Sequence, residues 1–105
     1  MSVNDIHTFI YDVKSLKGVT KLLPEMINLD KKKYISKIII PIDIKIIGKK
    51  CFQSFYQLKE VVIHEGVEII EDHAFYGCSL LSIIKLPESL KQIGMGVFMY
   101  CSLLN

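Results

Sequence analysis

The chain contains no arginine; all thirteen of its basic residues are lysine. Arginine carries much of the bidentate recognition of bases and phosphates, so its absence weighs against a nucleic-acid reader. Cysteine is scarce and odd in number, three in 105 residues, which does not make a disulfide framework. No CxxC or HxxxH spacing occurs, so the common zinc patterns are missing as well. There is no long hydrophobic run. The densest stretch, Ile38 to Ile47, is broken by Pro41, Asp43 and Lys45 and falls far short of a membrane span. Met1-Ser2-Val3-Asn4-Asp5 has no basic segment with an apolar run behind it, so no secretory signal pattern is visible, and by sequence the expected location is the cytoplasm.

What is present points to one globular domain. Half of the residues are hydrophobic and 23% are charged, which excludes a disordered polyampholyte and calls for a buried core. A net charge of +2 forces no partner. The charge is nonetheless uneven: residues 1–50 hold ten Lys against five acids, and residues 51–105 hold three Lys against six. Lys31-Lys32-Lys33 is the one basic cluster. It reads either as a solvated loop beside a strand or as a patch that steers a partner.

The chain repeats itself. Sliding it by 23 positions superimposes Phe52, Phe75 and Phe98, then Leu58, Leu81 and Leu104, then Ile47, Ile70 and Ile93. Further columns are Ile38, Val61 and Ile84; Ile40, Ile63 and Leu86; Ile44, Val67 and Leu90. Residues 61–82 and 84–105 share seven identities in 22 positions, and the matches are mostly large and apolar, as a shared core requires. Ile38-Ile39-Ile40, Val61-Val62-Ile63 and Ile84-Lys85-Leu86 alternate with period two, so each unit contains a short strand. Pro41 and Pro87 end two of these strands, and His64 takes the third position. On the return leg Val67 and Ile70 point inward and Phe75 anchors the far side. Residues 49–55, 72–78 and 95–101 are expected to form one short helical or 3₁₀ turn each. A single unit buries too little to stand alone. Stacked units share their columns and satisfy each other's strand hydrogen bonds, so the chain coils as a solenoid with parallel strands on one face.

These residues resemble the leucine-rich repeat superfamily, and within it the BspA-like class with a 23-residue repeat. That class reads roughly as leucine-x-x-isoleucine-x-isoleucine-proline, valine-x-x-isoleucine-glycine, alanine-phenylalanine-x-glycine-cysteine-x-x-leucine. The best copy here runs from Leu58 to Leu81 and includes Ala74-Phe75-Tyr76-Gly77-Cys78-Ser79-Leu80-Leu81. Cys51 and Val97 stand at the alanine, Phe55 at the cysteine, Ser54 and Tyr100 at the glycine, and His64 at the proline. The resemblance implies an α/β leucine-rich-repeat solenoid, with short parallel strands on the concave face and short helical or 3₁₀ turns on the convex face. Residues 35–105 then make about three repeats with an open C-terminal end. Residues 1–34, which miss the period, make an N-terminal cap: Thr8–Asp12 as an entry strand, Ser15–Val19 turning into a second, Pro24 near the start of a short turn, and Leu22, Leu23, Met26, Ile27 and Leu29 covering the first rung. The class also implies a non-catalytic interaction protein of the adhesin or surface-antigen kind, and hence a cell-surface location. The alternative is an intracellular scaffold or self-assembling fragment of a longer array.

No catalytic constellation emerges. His64 and His73 fall on opposite walls of the solenoid and do not converge on Cys78 as a dyad. His7 belongs to the cap. Glu65, Glu68, Glu71 and Asp72 form a solvated face, and Gly94-Met95-Gly96 is a repeat turn rather than a phosphate cradle. Cys78 and Cys101 occupy one repeat position; they read as a ladder of small buried thiols, or as a disulfide in an oxidising medium. Neither a metal nor a cofactor is expected. What remains is surface. The outward strand positions Lys37 and Ile39, Glu60 and Val62, Ile83 and Lys85 form a grid, and three of the six are exposed aliphatics. That grid is the expected protein-binding face, with self-association through the open C-terminal edge as a further expectation.

Overall fold

The computed structural model describes residues 8–10, 18–27 and 29–104, with side chains for 18–27 and 32–104. Eight short strands lie in two parallel sheets. The first sheet holds β1 (Thr8–Ile10), β3 (Lys37–Ile39), β5 (Glu60–Val62) and β7 (Ile83–Ile84), in that order. The second holds β2 (Lys21–Leu22), β4 (Ile46–Ile47), β6 (Ile69–Ile70) and β8 (Gln92–Ile93). Each coil of the chain thus gives one strand to each sheet and then turns back. The register Lys37↔Glu60↔Ile83 and Ile46↔Ile69↔Gln92 advances by 23 each time, the period of the sequence.

The strands are short because the alternation is short. In β3 Ile38 is buried between two half-buried neighbours, and in β5 Val61 is buried between Glu60 and Val62. Lys59 N and Glu60 N donate to Ser36 O at 2.8 and 3.1 Å, and one coil on, Ser82 N and Ile83 N donate to Lys59 O at 3.0 Å each. The second sheet uses the same hand-off: Glu68 N to Lys45 O at 2.8 Å, and Lys91 N to Glu68 O at 2.7 Å. The return leg was expected to point Val67 and Ile70 inward, and both are fully buried. It is also a strand, which a two-residue alternation is too brief to announce.

The third side of each coil differs in detail from a helical turn. Residues 49–54, 72–77 and 95–100 are trains of β-turns, and the 3₁₀ segments of the described chain lie at Pro24–Met26 and Leu29–Tyr34. Alternate N–H groups do two jobs. Cys51, Gln53 and Phe55 donate three residues back, to Gly48, Lys50 and Phe52. Lys50, Phe52 and Ser54 donate forward to Asp72, Ala74 and Tyr76 of the next coil, at 2.7–3.0 Å. The next coil repeats the pattern, with His73, Phe75 and Gly77 donating to Met95, Val97 and Met99. A helix would consume all these donors internally. The left-handed residues that separate the turns recur in register: Lys50, His73 and Gly96 at φ 58, 59 and 63, and Ser54, Gly77 and Tyr100 at φ 62, 75 and 64. Glycine takes that conformation freely, whereas the other four residues are held in it by the ladder.

The core fills the space between the three sides. Phe52, Phe55, Phe75, Ile38, Ile44, Ile47, Leu58, Ile70 and Leu81 are among its fully buried side chains. The phenylalanine column is a stack: Phe52–Phe75 centroids lie 5.4 Å apart with planes at 15°, and Phe75–Phe98 5.9 Å apart at 6°. Phe55 meets Phe52 edge-on at 5.4 Å.

The N-terminal segment joins this architecture. Thr8–Ile10 is a strand, as expected; Tyr11, Asp12, and Ser15 to Lys17 lie outside the described residues. The second strand falls at Lys21–Leu22, just after Gly18 and Val19, where it pairs with β4 and Leu22 sits beside Ile47. Here the register is longer, 29 positions for Thr8↔Lys37 and 25 for Lys21↔Ile46.

Phe75 is the middle ring of the stack and wholly buried. Phe75→Ala is expected to lower the unfolding free energy by about 3–5 kcal/mol in urea titration; a loss under about 1 kcal/mol would mean the ring is not packed on both faces. Lys50 is exposed and left-handed. Lys50→Gly keeps its N–H bond to Asp72 and is expected to raise stability by about 0.5–1 kcal/mol, whereas in a helical turn the same change would lower it by about 1 kcal/mol.

Candidate functional site

The outer face of the first sheet is set by the pairing. Lys37, Glu60 and Ile83 form one row across β3, β5 and β7, and Ile39 and Val62 form the row beside it. Lys85 occupies the repeat position of Ile39 and Val62 but lies one residue beyond the end of β7, so it borders the grid and is not a strand residue. Lys37, Ile39 and Glu60 are half-buried; Val62 is 40% exposed, Ile83 57%, and Lys85 is exposed. The face therefore opens progressively towards the last coil. Lys37 Nζ lies 3.9 Å from Glu60 Oε1, and both side chains are more than a third exposed, so this pair adds little to stability.

Beside the N-terminal ends of β3 and β5 lies a groove of about 410 Å³, lined by Lys33, Tyr34, Ser36, Gln57 and Lys59. The sequence reading did not include these five. The repeat register holds the signal: Tyr34 and Gln57 share one 23-residue column, and Ser36 and Lys59 share another. Lys33 Nζ lies 5.3 Å from the centre of the Tyr34 ring, and Lys32 Nζ lies 5.4 Å from that of Phe55. A second cleft of about 210 Å³ opens on the other sheet beside Lys49, Glu71, Asp72 and Gln92. Its carboxylates are engaged, Glu71 with Lys21 Nζ at 3.0 Å and Asp72 with Met95 N at 2.8 Å.

The histidines serve the scaffold. His64 stands where Pro41 and Pro87 stand in the neighbouring coils, and its Nε2 donates to Pro41 O at 2.8 Å, tying two coils together. His73 is one of the left-handed turn residues, its ring edge-on to Tyr76 at 5.4 Å. All three cysteines are buried free thiols. Cys78 Sγ donates to Phe52 O and Cys101 Sγ to Phe75 O, each at 3.2 Å. Both bonds reach back 26 residues, so the thiol ladder is a structural repeat of one contact. Burial pushes the Cys78 thiol up from 9.0 to about 12 and raises Cys51 and Cys101 as well. Thiols held protonated in this way are poor nucleophiles and poor metal ligands. Among the described residues no group of three or more His, Cys, Asp or Glu is placed to hold a metal ion, and no helix is long and apolar enough to cross a membrane.

Two parallel sheets in 23-residue register, closed by a β-turn ladder on a phenylalanine stack, are the geometry of a repeat solenoid. The family profile described as BspA type leucine rich repeat region (6 copies) matches residues 29–105. The chain belongs to that family. No curated protein and no solved structure matches the chain. The BspA-type pattern is visible in the structure position by position. Its alanine column, here Cys51, Ala74 and Val97, is buried beside the stack, and its glycine column, here Ser54, Gly77 and Tyr100, is the second left-handed position of each turn.

The buried thiols make stability depend on alkaline pH. In the unfolded chain Cys78 ionises near 9.0, while the folded chain holds its proton to about 12. Below pH 9 both states are protonated and stability is complete. Between the two values the unfolded chain has released a proton that the folded chain retains, so stability falls as pH rises, by at most about 1.4 kcal/mol per pH unit for this group. Urea midpoints measured from pH 8 to 11 are expected to drop less steeply in Cys78→Ala than in the wild type; an equal slope would mean that Cys78 is not the group responsible.

Proposed function

We propose that this BspA-type repeat chain is a non-catalytic protein-interaction module that engages its partner through the outer face of the first sheet, at Lys37, Ile39, Glu60, Val62, Ile83 and Lys85. The observation that carries this reading is the exposure of Val62 and Ile83 on a strand grid whose opposite face already fills the core. Aliphatics as exposed as Val62 and Ile83 add little to packing, and parallel strands fixed by backbone bonds hold their backbone in place before binding. Adhesion to a host or matrix protein is the use that the family resemblance implies for such a face.

A second reading, assembly through the last coil, has its own support. Ile93 is 45% exposed although Ile47 and Ile70 in its column are wholly buried, and Leu86, Met95, Met99 and Leu103 are exposed beside it. A second copy seated there would bury these columns.

Peptides selected from a random display library on the immobilised chain test the first reading. They are expected to lose at least about tenfold in affinity for a Val62→Ser/Ile83→Ser variant of unchanged circular dichroism. Undiminished binding would remove the face as the site. Light scattering across a concentration series tests the second reading, and a monomer throughout would remove it.

A further inference from the structure

We propose that the groove between Lys33, Gln57 and Lys59 seats an acidic, extended segment of the partner protein, its carboxylates on the two lysines and its chain running on across the β3–β5–β7 face. This deepens the interaction-module reading and rests on it.

The chemistry of the lining selects the ligand. Lys33 and Lys59 supply ammonium donors and Gln57 an amide; among the described residues no carboxylate lines the groove. Among the described residues neither lysine is in an ion pair, whereas Lys21, Lys37 and Lys91 each have a carboxylate partner. Among the described side chains Lys33 and Lys59 line the groove, and Lys37, the next residue after Ser36, has Glu60 as its carboxylate partner. Such a concave positive patch concentrates anions and speeds their encounter.

The floor is also preformed. Ser36 O accepts the N–H groups of Lys59 and Glu60, and Lys59 O accepts those of Ser82 and Ile83, so the backbone under the groove is locked into the first sheet. A volume of about 410 Å³ holds a few side chains and not a folded domain. Two of its lining residues, Ser36 and Lys59, directly precede Lys37 and Glu60 at the starts of β3 and β5, so an extended chain leaving the groove in that direction would reach the proposed face. Lysine ammonium groups act as point charges suited to single carboxylates. The bidentate forks typical of nucleic-acid readers are absent from the whole chain.

Fluorescence anisotropy with labelled hexaglutamate tests the proposal, with hexaglutamine and hexathymidylate as comparison probes. Hexaglutamate is expected to bind saturably at one site, more weakly as salt rises from about 0.05 to about 0.3 M, and hexaglutamine not to bind. Lys33→Gln/Lys59→Gln is expected to weaken binding by at least about tenfold. Lys45→Gln/Lys91→Gln removes the same charge from the second sheet and is expected to leave it within about twofold. Equal losses in the two double variants, or no hexaglutamate binding, would overturn the groove. Tighter binding of hexathymidylate with the same lysine dependence would assign the groove to a nucleic acid and overturn the acidic segment. The display-selected peptides separate the two readings. Dependence on Val62 and Ile83 without Lys33 and Lys59 keeps the interaction face and rejects the groove; dependence on the lysines alone keeps the groove and rejects the face.

Discussion

Each coil is satisfied by its neighbours and not by itself. Along the sheets N–H groups donate to the preceding coil, as Lys59 to Ser36 and Glu68 to Lys45, and also to the following one, as Ile40 to Val62; in the turn ladder they donate forwards, as Phe52 to Ala74 and Phe75 to Val97. From β3 onward, where sheets and turn ladder both bond each coil to the next, an inserted residue would leave a donor unpaired or invert the side chains after it, which holds the coil at 23 residues. The 23-residue period is the sequence record of that constraint. Side chains follow it too. The Glu65 carboxylate accepts Glu88 N and Ser89 N, Asp72 accepts Met95 N, and Ser89 Oγ accepts Gly66 N while donating to Val67 O, all one coil apart. The phenylalanine stack and the thiol ladder are consequences of the same spacing: a ring or a thiol placed once per period lands on its own kind.

The groove forms beside one of the two legs in which the period fails. Between β2 and β3 the chain takes 16 positions from Lys21 to Lys37, against 14 from Ile46 to Glu60 and from Ile69 to Ile83. The extra length lies in the leg that contains the 3₁₀ segment Leu29–Tyr34. Lys33 and Tyr34 come at the end of this segment, beside Gln57 and Lys59 of the following coil. The groove thus lies where the longer leg meets the regular coil that follows it.

This explains which parts were legible. The columns at Phe52, Ile47, Leu58 and Ile38 were visible because burial demands a large apolar residue at every period, and the structure buries them as the spacing requires. The second sheet was not visible as a sheet, since Ile46-Ile47 and Ile69-Ile70 are too short to show alternation. The turn ladder was hidden for another reason. Left-handed positions are usually betrayed by glycine, and here Lys50, Ser54, His73 and Tyr100 occupy four of the six. The i to i+3 bonding of a 3₁₀ turn was anticipated correctly, but its interruption by left-handed residues leaves alternate donors for the neighbouring coil. For the site, the repeat register alone placed Lys37, Glu60 and Ile83 in one row. The groove was harder to read: Tyr34 and Gln57, and Ser36 and Lys59, do share columns, but columns that are not buried place no demand on residue type and so leave no visible pattern.

The two halves of the outer face complement each other physically. Row by row it passes from the lysines around Ser36 and Lys59, through the Lys37–Glu60 pair, to exposed Ile83 and Val62. Charge acts at a distance of about a Debye length, roughly 8–10 Å at moderate salt, and governs encounter and orientation. Apolar contact acts only after water has left and governs how long the complex lasts. A partner that carries acidic residues ahead of an aliphatic segment would meet the two in the order that binding requires.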